Sequence, residues 1–223
     1  MTRTVAVIPA RNEGKRIAGT VRALRSLVDE IVVVDDGSRD ATAVEALGAG
    51  ATVLRIPLSV GKGRAVDGAL RRSPPADVWL LADADLGDSA AGLRALLEEV
   101  RDQGADMAIA IFPQQAGGGF GMVKRFAAAA IERLAGFRAR EPLCGQRAVS
   151  ARCLEAVRPL ADGFGLETAM TIDAVRAGYR VVEIEVEGLS HRATGQGPRG
   201  LAHRGRQGWD ILRAVIPRAR RSA

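Results

Sequence analysis

Short apolar runs alternate with amphipathic stretches along the first half of the chain. Thr4-Val5-Ala6-Val7-Ile8 predicts a buried strand over 4–8, with Pro9 ending its pairing. Ile17, Val21, Leu24 and Leu27 recur at helical spacing and predict an amphipathic helix over 15–27. Ile31-Val32-Val33-Val34 predicts a second strand over 30–34. The turn 35–40 follows, with Ser38 or Asp40 as helix N-cap, and then a short helix through Leu47 that Gly48 and Gly50 close. A third strand is expected over 51–56, a glycine-flanked loop at Gly61-Lys62-Gly63-Arg64, and a helix from there to Arg72. The breaker Ser73-Pro74-Pro75 precedes a fourth apolar run that climbs to Leu81 and stops at Asp83 and Asp85.

The second half is less regular. A helix is expected over 93–103 and a fifth strand over 105–111. The segment 114–121 is glycine-rich, 123–134 is an alanine-rich helix, and 140–148 reads as irregular. Helices over 151–160 and 166–177 flank the turn 162–165, and 180–187 alternates as a strand. Strand–helix alternation with short links predicts an α/β domain, a mainly parallel sheet with helices on both faces. No linker divides the chain. One domain is expected over 1–223, with a nucleotide-binding half at 1–111, an acceptor half at 112–190 and a tail at 191–223.

Four loops would meet along one edge of such a sheet, the edge at the carboxyl ends of strands where open α/β sheets bind ligands. Asp83 and Asp85 stand one residue apart and point the same way from an extended chain. Two carboxylates on one side suit a hard divalent cation, Mg²⁺ or Mn²⁺, that also holds phosphate oxygens. Asp35 and Asp36 close the second strand and could accept hydrogen bonds from a base or a ribose. Lys62, one of three lysines among 32 basic residues, sits on a glycine loop and suits a diphosphate as a point charge. Plainer alternatives stay open for each: a solvated strand end, a turn with its helix cap, and a turn lysine.

Composition narrows the classes. The formal charge of +6 and the sequence pI of about 10.3 favour an anionic partner. Aromatics at 4% argue against a stacking platform for single-stranded nucleic acid. Two cysteines, Cys144 and Cys153, fit a reduced chain without excluding a bridge. No apolar stretch reaches the ~20 residues that span a bilayer, and no signal peptide precedes the first strand, so a cytoplasmic chain is expected. From His191 onward eight arginines face one acid, Asp210. Trp209, Ile211, Leu212, Val215 and Ile216 recur there at near-helical spacing, either as a packed C-terminal helix or as a peripheral contact with an anionic membrane face.

Four stretches carry a resemblance in order: Val7-Ile8-Pro9-Ala10-Arg11-Asn12-Glu13, then Val34-Asp35-Asp36-Gly37-Ser38-Arg39-Asp40-Ala41-Thr42, then Gly61-Lys62-Gly63, then Asp83-Ala84-Asp85. Together they resemble the family 2 glycosyltransferases of GT-A fold. The resemblance implies a metal-dependent hexosyltransferase using a UDP- or GDP-hexose. It implies that Pro9, Ala10 and Glu13 line the nucleoside pocket and that Asp36 contacts the base. Lys62 would face the diphosphate, and Asp83 and Asp85 the ribose and metal. Gly163-Phe164-Gly165-Leu166-Glu167-Thr168 with His191-Arg192 is similar to glucosyl-3-phosphoglycerate synthases, which implies His191 as a further metal ligand. Cys144-Gly145-Gln146-Arg147-Ala148 is similar to polyprenyl-phosphate glycosyltransferases, which implies Arg147 as a holder of acceptor phosphate.

A phosphorylated acceptor needs its own cations, and Lys124 and Arg125 join Arg147 as candidates, with Gly117 to Gly121 allowing close backbone approach. Glu167 is a catalytic candidate beside Asp85 and Lys62; where hydroxyl-acceptor members often show Glu-Asp, this chain has Glu167-Thr168. A homodimer stays open. The rival readings are a sugar nucleotidyltransferase, from Ile8-Pro9-Ala10-Arg11, and a non-enzymatic anion- or nucleic-acid-binding protein, from the basic tail. Val34-Asp35-Asp36-Gly37-Ser38 argues against the first, and the ordered acidic loops against the second.

Overall fold

The computed structural model describes residues 2–112, 121–190 and 198–220. Strand and helix alternate through β1 (Thr4–Ala10), α1 (Ile17–Leu24), β2 (Glu30–Asp36), α2 (Thr42–Gly48), β3 (Thr52–Ile56), α3 (Lys62–Arg72) and β4 (Val78–Leu81). A 3-10 turn at Gly87–Leu93 leads into α4 (Arg94–Arg101) and β5 (Met107–Ile111). Next come α5 (Gly121–Ala135), β6 (Arg147–Ser150) and α6 (Ala151–Ala156). A second 3-10 turn, Gly163–Gly165, precedes α7 (Leu166–Arg176), β7 (Val181–Glu185) and α8 (Pro198–Arg220).

The strands form one sheet in the order β3-β2-β1-β4-β6-β5-β7. All neighbours are parallel except β6, which runs antiparallel between β4 and β5. The fold is thus the expected α/β, mainly parallel architecture. Strand order reverses beside β1: the chain moves outward to β2 and β3, then returns to β4 on its other side. Such a reversal opens a crevice at the carboxyl ends of the two strands. The end of β1 with residues 11–14 beyond it, and residues 82–85 after β4, flank it.

β4 and β5 are buried at every position, which explains why they read as unbroken apolar runs. Fully buried Ile8, Leu80, Met107 and Ile109 anchor the main core, each contributing roughly 1.5–3 kcal/mol relative to exposure. A second, smaller cluster joins Ala127 and Ile131 of α5, Ile172 of α7, and Ile211 and Val215 of α8. Helices α1, α2 and α4 form one group on the sheet, and α3, α5, α7 and α8 the other.

Several expectations are corrected. Pro9 does not end strand pairing: β1 continues to Ala10, with Pro9 opposite Val34. The Val7 carbonyl accepts from Ala82, so Val7, and Pro9 two residues on, face the β4 side. There β4 has already ended, and the missing N–H of proline breaks no ladder bond. Lys62 and Gly63 are not a loop but the first turn of α3, with Gly61 as its N-cap at φ 93°. Gly63 serves packing, because a Cβ there would lie 2.0 Å from the Ala161 carbonyl oxygen. Neither Ser38 nor Asp40 is the N-cap of α2; Ala41 is, while Asp40 accepts from the Thr42 N–H at 3.0 Å.

The segment 140–148 is not wholly irregular, since β6 starts at Arg147. Cys144 and Cys153 are buried free thiols. The apolar stripe of the tail faces inward at Ile211 and Val215, which pack on α5 and α7, and leaves Trp209 and Ile216 exposed. No described helix is long and apolar enough to cross a membrane.

Candidate active site

The acidic turn after β2 is first of all a binder of loops. Asn12 N–H donates to Ser38 Oγ at 2.9 Å, Glu13 N–H to Thr42 Oγ1 at 2.9 Å, and Gly14 N–H to Asp40 Oδ2 at 3.0 Å. Arg39 N–H returns to Asn12 Oδ1 at 2.9 Å, and Asn12 itself holds a left-handed φ of 57°, which asparagine tolerates. These bonds tie residues 12–14, just after β1, to the turn after β2.

Asp36 is almost fully buried and turned toward the next loop. Its carboxylate accepts from Ser59 Oγ at 2.7 Å, Val60 N–H at 2.7 Å and Gly61 N–H at 3.1 Å. Asp36 therefore delivers the start of α3, and with it Lys62, to the crevice. Asp35 accepts from Ser38 N–H at 2.9 Å, closing its own turn.

Lys62 is the centre of the site. Its Nζ lies 2.9 Å from Asp83 Oδ1 and 2.8 Å from Glu167 Oε1. Burial by itself would lower the Lys62 pKa, but the carboxylates of Asp83 and Glu167 more than offset it and hold the ammonium above the usual lysine range. Glu167 is buried and stands in the first turn of α7, at the end of the helix where a negative charge is favoured. An ammonium has three N–H donors, so two carboxylates leave one for a third acceptor.

The antiparallel insertion of β6 completes the floor. Leu81 pairs with Arg147, so Asp83, two residues beyond, meets Gly145, two residues before. A Cβ on Gly145 would lie 2.6 Å from Lys62 Nζ and 3.1 Å from both Asp83 oxygens; only glycine lets the pair approach. Gln146 Nε2 donates to Asp83 Oδ2 at 2.6 Å. Beneath them Arg147 is wholly buried, with Nε on the Cys144 carbonyl at 2.9 Å and Nη1 on Thr171 Oγ1 at 3.0 Å. Its Nη2 finds no partner among the described residues. Burial lowers its pKa, partly opposed by the charge of Glu167. Lys62, Glu167, Gly145 and Arg147 border one small cavity with Pro9 and Leu81.

The residues present fit a divalent cation. Among the described residues no three His, Cys, Asp or Glu side chains converge into a ready-made cage. Mg²⁺, however, is ordinarily held by one or two carboxylates together with substrate phosphates and waters. Asp83 and Asp85 are that kind of donor set: both are part-exposed at the end of β4, and a carboxylate offers about four lone-pair sites, so Asp83 has capacity beyond its bonds to Lys62 and Gln146.

The structure brings together Lys62, Asp83, Glu167 and Arg147, with Pro9 at the cavity edge. It does not bring Lys124 and Arg125 to that cavity: Lys124 pairs with Glu141 at 2.7 Å and Arg125 is exposed on α5. Gly121 opens α5 with open space where a Cβ would stand. Arg147, expected to hold acceptor phosphate, is an interior residue with no exposed side chain that borders the cavity from beneath. His191 lies outside the described residues, as does 113–120. Sequence reasoning singles out Arg147 from Cys144-Gly145-Gln146-Arg147-Ala148 and passes over Gly145 and Gln146, which that same stretch signals.

Comparisons agree with this geometry. A family model, Glycosyl transferase family 2, matches residues 5–153. Glucosyl-3-phosphoglycerate synthase of Mycolicibacterium paratuberculosis is 26% identical, over 97% of this chain and 72% of the relative. The crystal structure of glucosyl-3-phosphoglycerate synthase from Mycobacterium tuberculosis with Mg²⁺ and uridine diphosphate is similar at TM-score 0.81 and 26% identity, over 97% of this chain and 79% of that one. The same enzyme with Mn²⁺, UDP-glucose and phosphoglyceric acid gives TM-score 0.79 and 25% identity, over 97% and 79%.

Proposed function

The chain belongs to glycosyl transferase family 2, and from that premise we propose that it moves a hexose from a UDP-sugar to a small phosphate-bearing acceptor, with Mg²⁺ or Mn²⁺ as cofactor. The observation that carries the reading is Lys62, an ammonium set between Asp83 and Glu167 at the crevice between β1 and β4. The relatives' UDP-glucose, divalent cation and phosphoglyceric acid support the same donor, cofactor and acceptor class here.

Breaking the sugar–phosphate bond builds positive charge on the sugar, as in glycoside hydrolysis, and leaves negative charge on the diphosphate. Asp83 and Asp85 would hold the cation, which supplies positive charge to the diphosphate oxygens. Lys62 adds a fixed ammonium, and its remaining N–H is the donor for a phosphate oxygen. Glu167 acts on Lys62 rather than on the sugar: it fixes the direction of the ammonium before the donor arrives, the kind of preorganisation that lowers a barrier. Pro9, Ala10 and Glu13 line the nucleoside side, with Asp36 shaping it through residues 59–61.

For the acceptor, the described residues from 121 to 190 would supply the other wall, and His191 is the further metal ligand that the resemblance implies. Gly121, Lys124 and Arg125 on α5 are the acceptor-side candidates. A soluble acceptor is favoured over a lipid phosphate because Ile211 and Val215 of the tail pack inward. Calorimetric titration of the protein with UDP-glucose tests the donor side. Binding in Mn²⁺ that is lost in excess chelator supports the reading; metal-independent binding, or none, opposes it.

A further inference from the structure

We infer that Gln146 is a positioning residue for the transfer reaction: its amide, oriented by the Cys144 thiol, holds the Asp83 carboxylate against Lys62. The inference rests on the reading of Asp83 as part of the donor site. Gln146 is 1% exposed and reaches no solvent. Its backbone carbonyl accepts from Ala110 N–H at 3.0 Å, so the residue is pinned to β5 while its side chain turns the other way, to Asp83.

The amide has one satisfactory orientation. Cys144 Sγ lies 3.1 Å from Gln146 Oε1, and Gln146 Nε2 lies 2.6 Å from Asp83 Oδ2. Reversed, the amide would set its oxygen against a carboxylate. The thiol fixes the choice by donating to Oε1, and burial pushes the Cys144 thiol up to about 12, so it stays a donor at neutral pH. Asp83 is then gripped on both oxygens, by Lys62 on one and by Gln146 on the other.

Charge explains why an amide serves here. Lys62 and Arg147 supply two positive charges, and Asp83 and Glu167 two negative ones. A glutamate at 146 would fill the same volume and set a third carboxylate against Asp83. A neutral donor instead stabilises Asp83 without altering the balance, as hydrogen bonds to charged groups do.

The test compares Gln146→Glu and Gln146→Met, which conserve volume, with Cys144→Ala and Cys144→Ser. Mn²⁺ binding is read by electron paramagnetic resonance in the presence of uridine diphosphate, alongside melting temperature. Gln146→Met is expected to weaken Mn²⁺ and uridine diphosphate binding about 10- to 100-fold, the loss of one hydrogen bond to a charge, and Gln146→Glu, which sets a carboxylate against Asp83, to lower the melting temperature further. Cys144→Ser should retain more affinity than Cys144→Ala, because a hydroxyl still donates. Should Gln146→Glu fail to fold, Gln146→Met and the Cys144 pair decide. Wild-type affinity in folded Gln146→Met and equal affinity in the two Cys144 variants would overturn the inference. A wild-type protein that binds no Mn²⁺ with uridine diphosphate would overturn the donor-site reading instead.

Discussion

Lys62 Nζ and Glu167 Oε1 lie 2.8 Å apart across 105 positions of sequence. The contact joins the first turn of α3 to the first turn of α7, and so ties the half of the chain before β5 to the half after it. Asp83 meets the same ammonium at 2.9 Å. One lysine therefore sets the distance between the strand that ends in the two aspartates and the helix that faces them.

Removing the ammonium should be felt in stability as well as in chemistry. Lys62→Met leaves Glu167 buried without its cation, and breaking a buried pair from one side costs about 3 kcal/mol. Glu167→Gln in the same chain should recover much of that loss. Urea unfolding of the two single variants and the double variant measures the coupling; strictly additive losses would contradict the ion-pair account.

Two glycines should separate packing from chemistry. A Cβ on Gly63 meets the backbone oxygen of Ala161 at 2.0 Å, which cannot yield without moving the chain. Gly63→Ala should lower stability by about 2 kcal/mol or more. A Cβ on Gly145 meets the far end of Lys62 at 2.6 Å, which can swing away. Gly145→Ala should lose at least about tenfold in transfer rate, roughly the loss of one charge-assisted contact, and lose no more stability than Lys62→Met, because only the Lys62 ammonium and not the backbone is displaced. Thermal unfolding beside initial rates reads both.

Much of this was legible in the sequence, and the exceptions have physical causes. The parallel strands were visible because full burial removes polar positions from β4 and β5. The joint order of the acidic turn, the lysine and the aspartate pair pointed to the crevice. β6 was not legible, because a strand that begins with a buried arginine and follows Gly145 shows neither alternation nor an apolar run. Its register, however, is what brings Gly145 and Gln146 to Asp83. Pro9 was misread because a proline breaks a ladder only on the side where a neighbour is still pairing. The role of Asp36 in shaping residues 59–61 needs long-range contact and leaves no local pattern.

Asp36 should therefore show two effects. Three donors from residues 59–61 converge on its carboxylate. Asp36→Ala should weaken UDP-glucose binding and also lower stability by about 1–3 kcal/mol, the cost of orphaning a buried charge-assisted set. Asp36→Asn should be milder. A loss of donor affinity with an unchanged melting temperature would mean direct base contact without the loop-holding role.

Asp67 gives the pH dependence. Burial by itself would raise its pKa, but hydrogen bonds from Arg158 at 2.9 Å and Arg71 at 2.5 Å more than offset this and hold it below the ordinary 3.8. A carboxylate depressed in the folded state stabilises above its unfolded pKa, and that contribution fades as pH falls through the folded value. Wild type should thus exceed Asp67→Asn by about 1–3 kcal/mol at pH 7, with the gap shrinking below pH 3.8. Urea unfolding of both across pH 2–7 checks the sign; a gap that widens toward acid contradicts it.

Metal-dependent hexosyl transfer at the Lys62, Asp83 and Asp85 site is read out by transfer of radiolabelled glucose from UDP-glucose to 3-phosphoglycerate. Labelled glucosyl product should form with Mn²⁺ or Mg²⁺ and stop in chelator. Asp85→Asn should lower the rate by about 100-fold or more, as for loss of a charged group acting on the transition state, and glucose should be a poor acceptor. Equal transfer in chelator, or full activity in Asp85→Asn, would contradict the account.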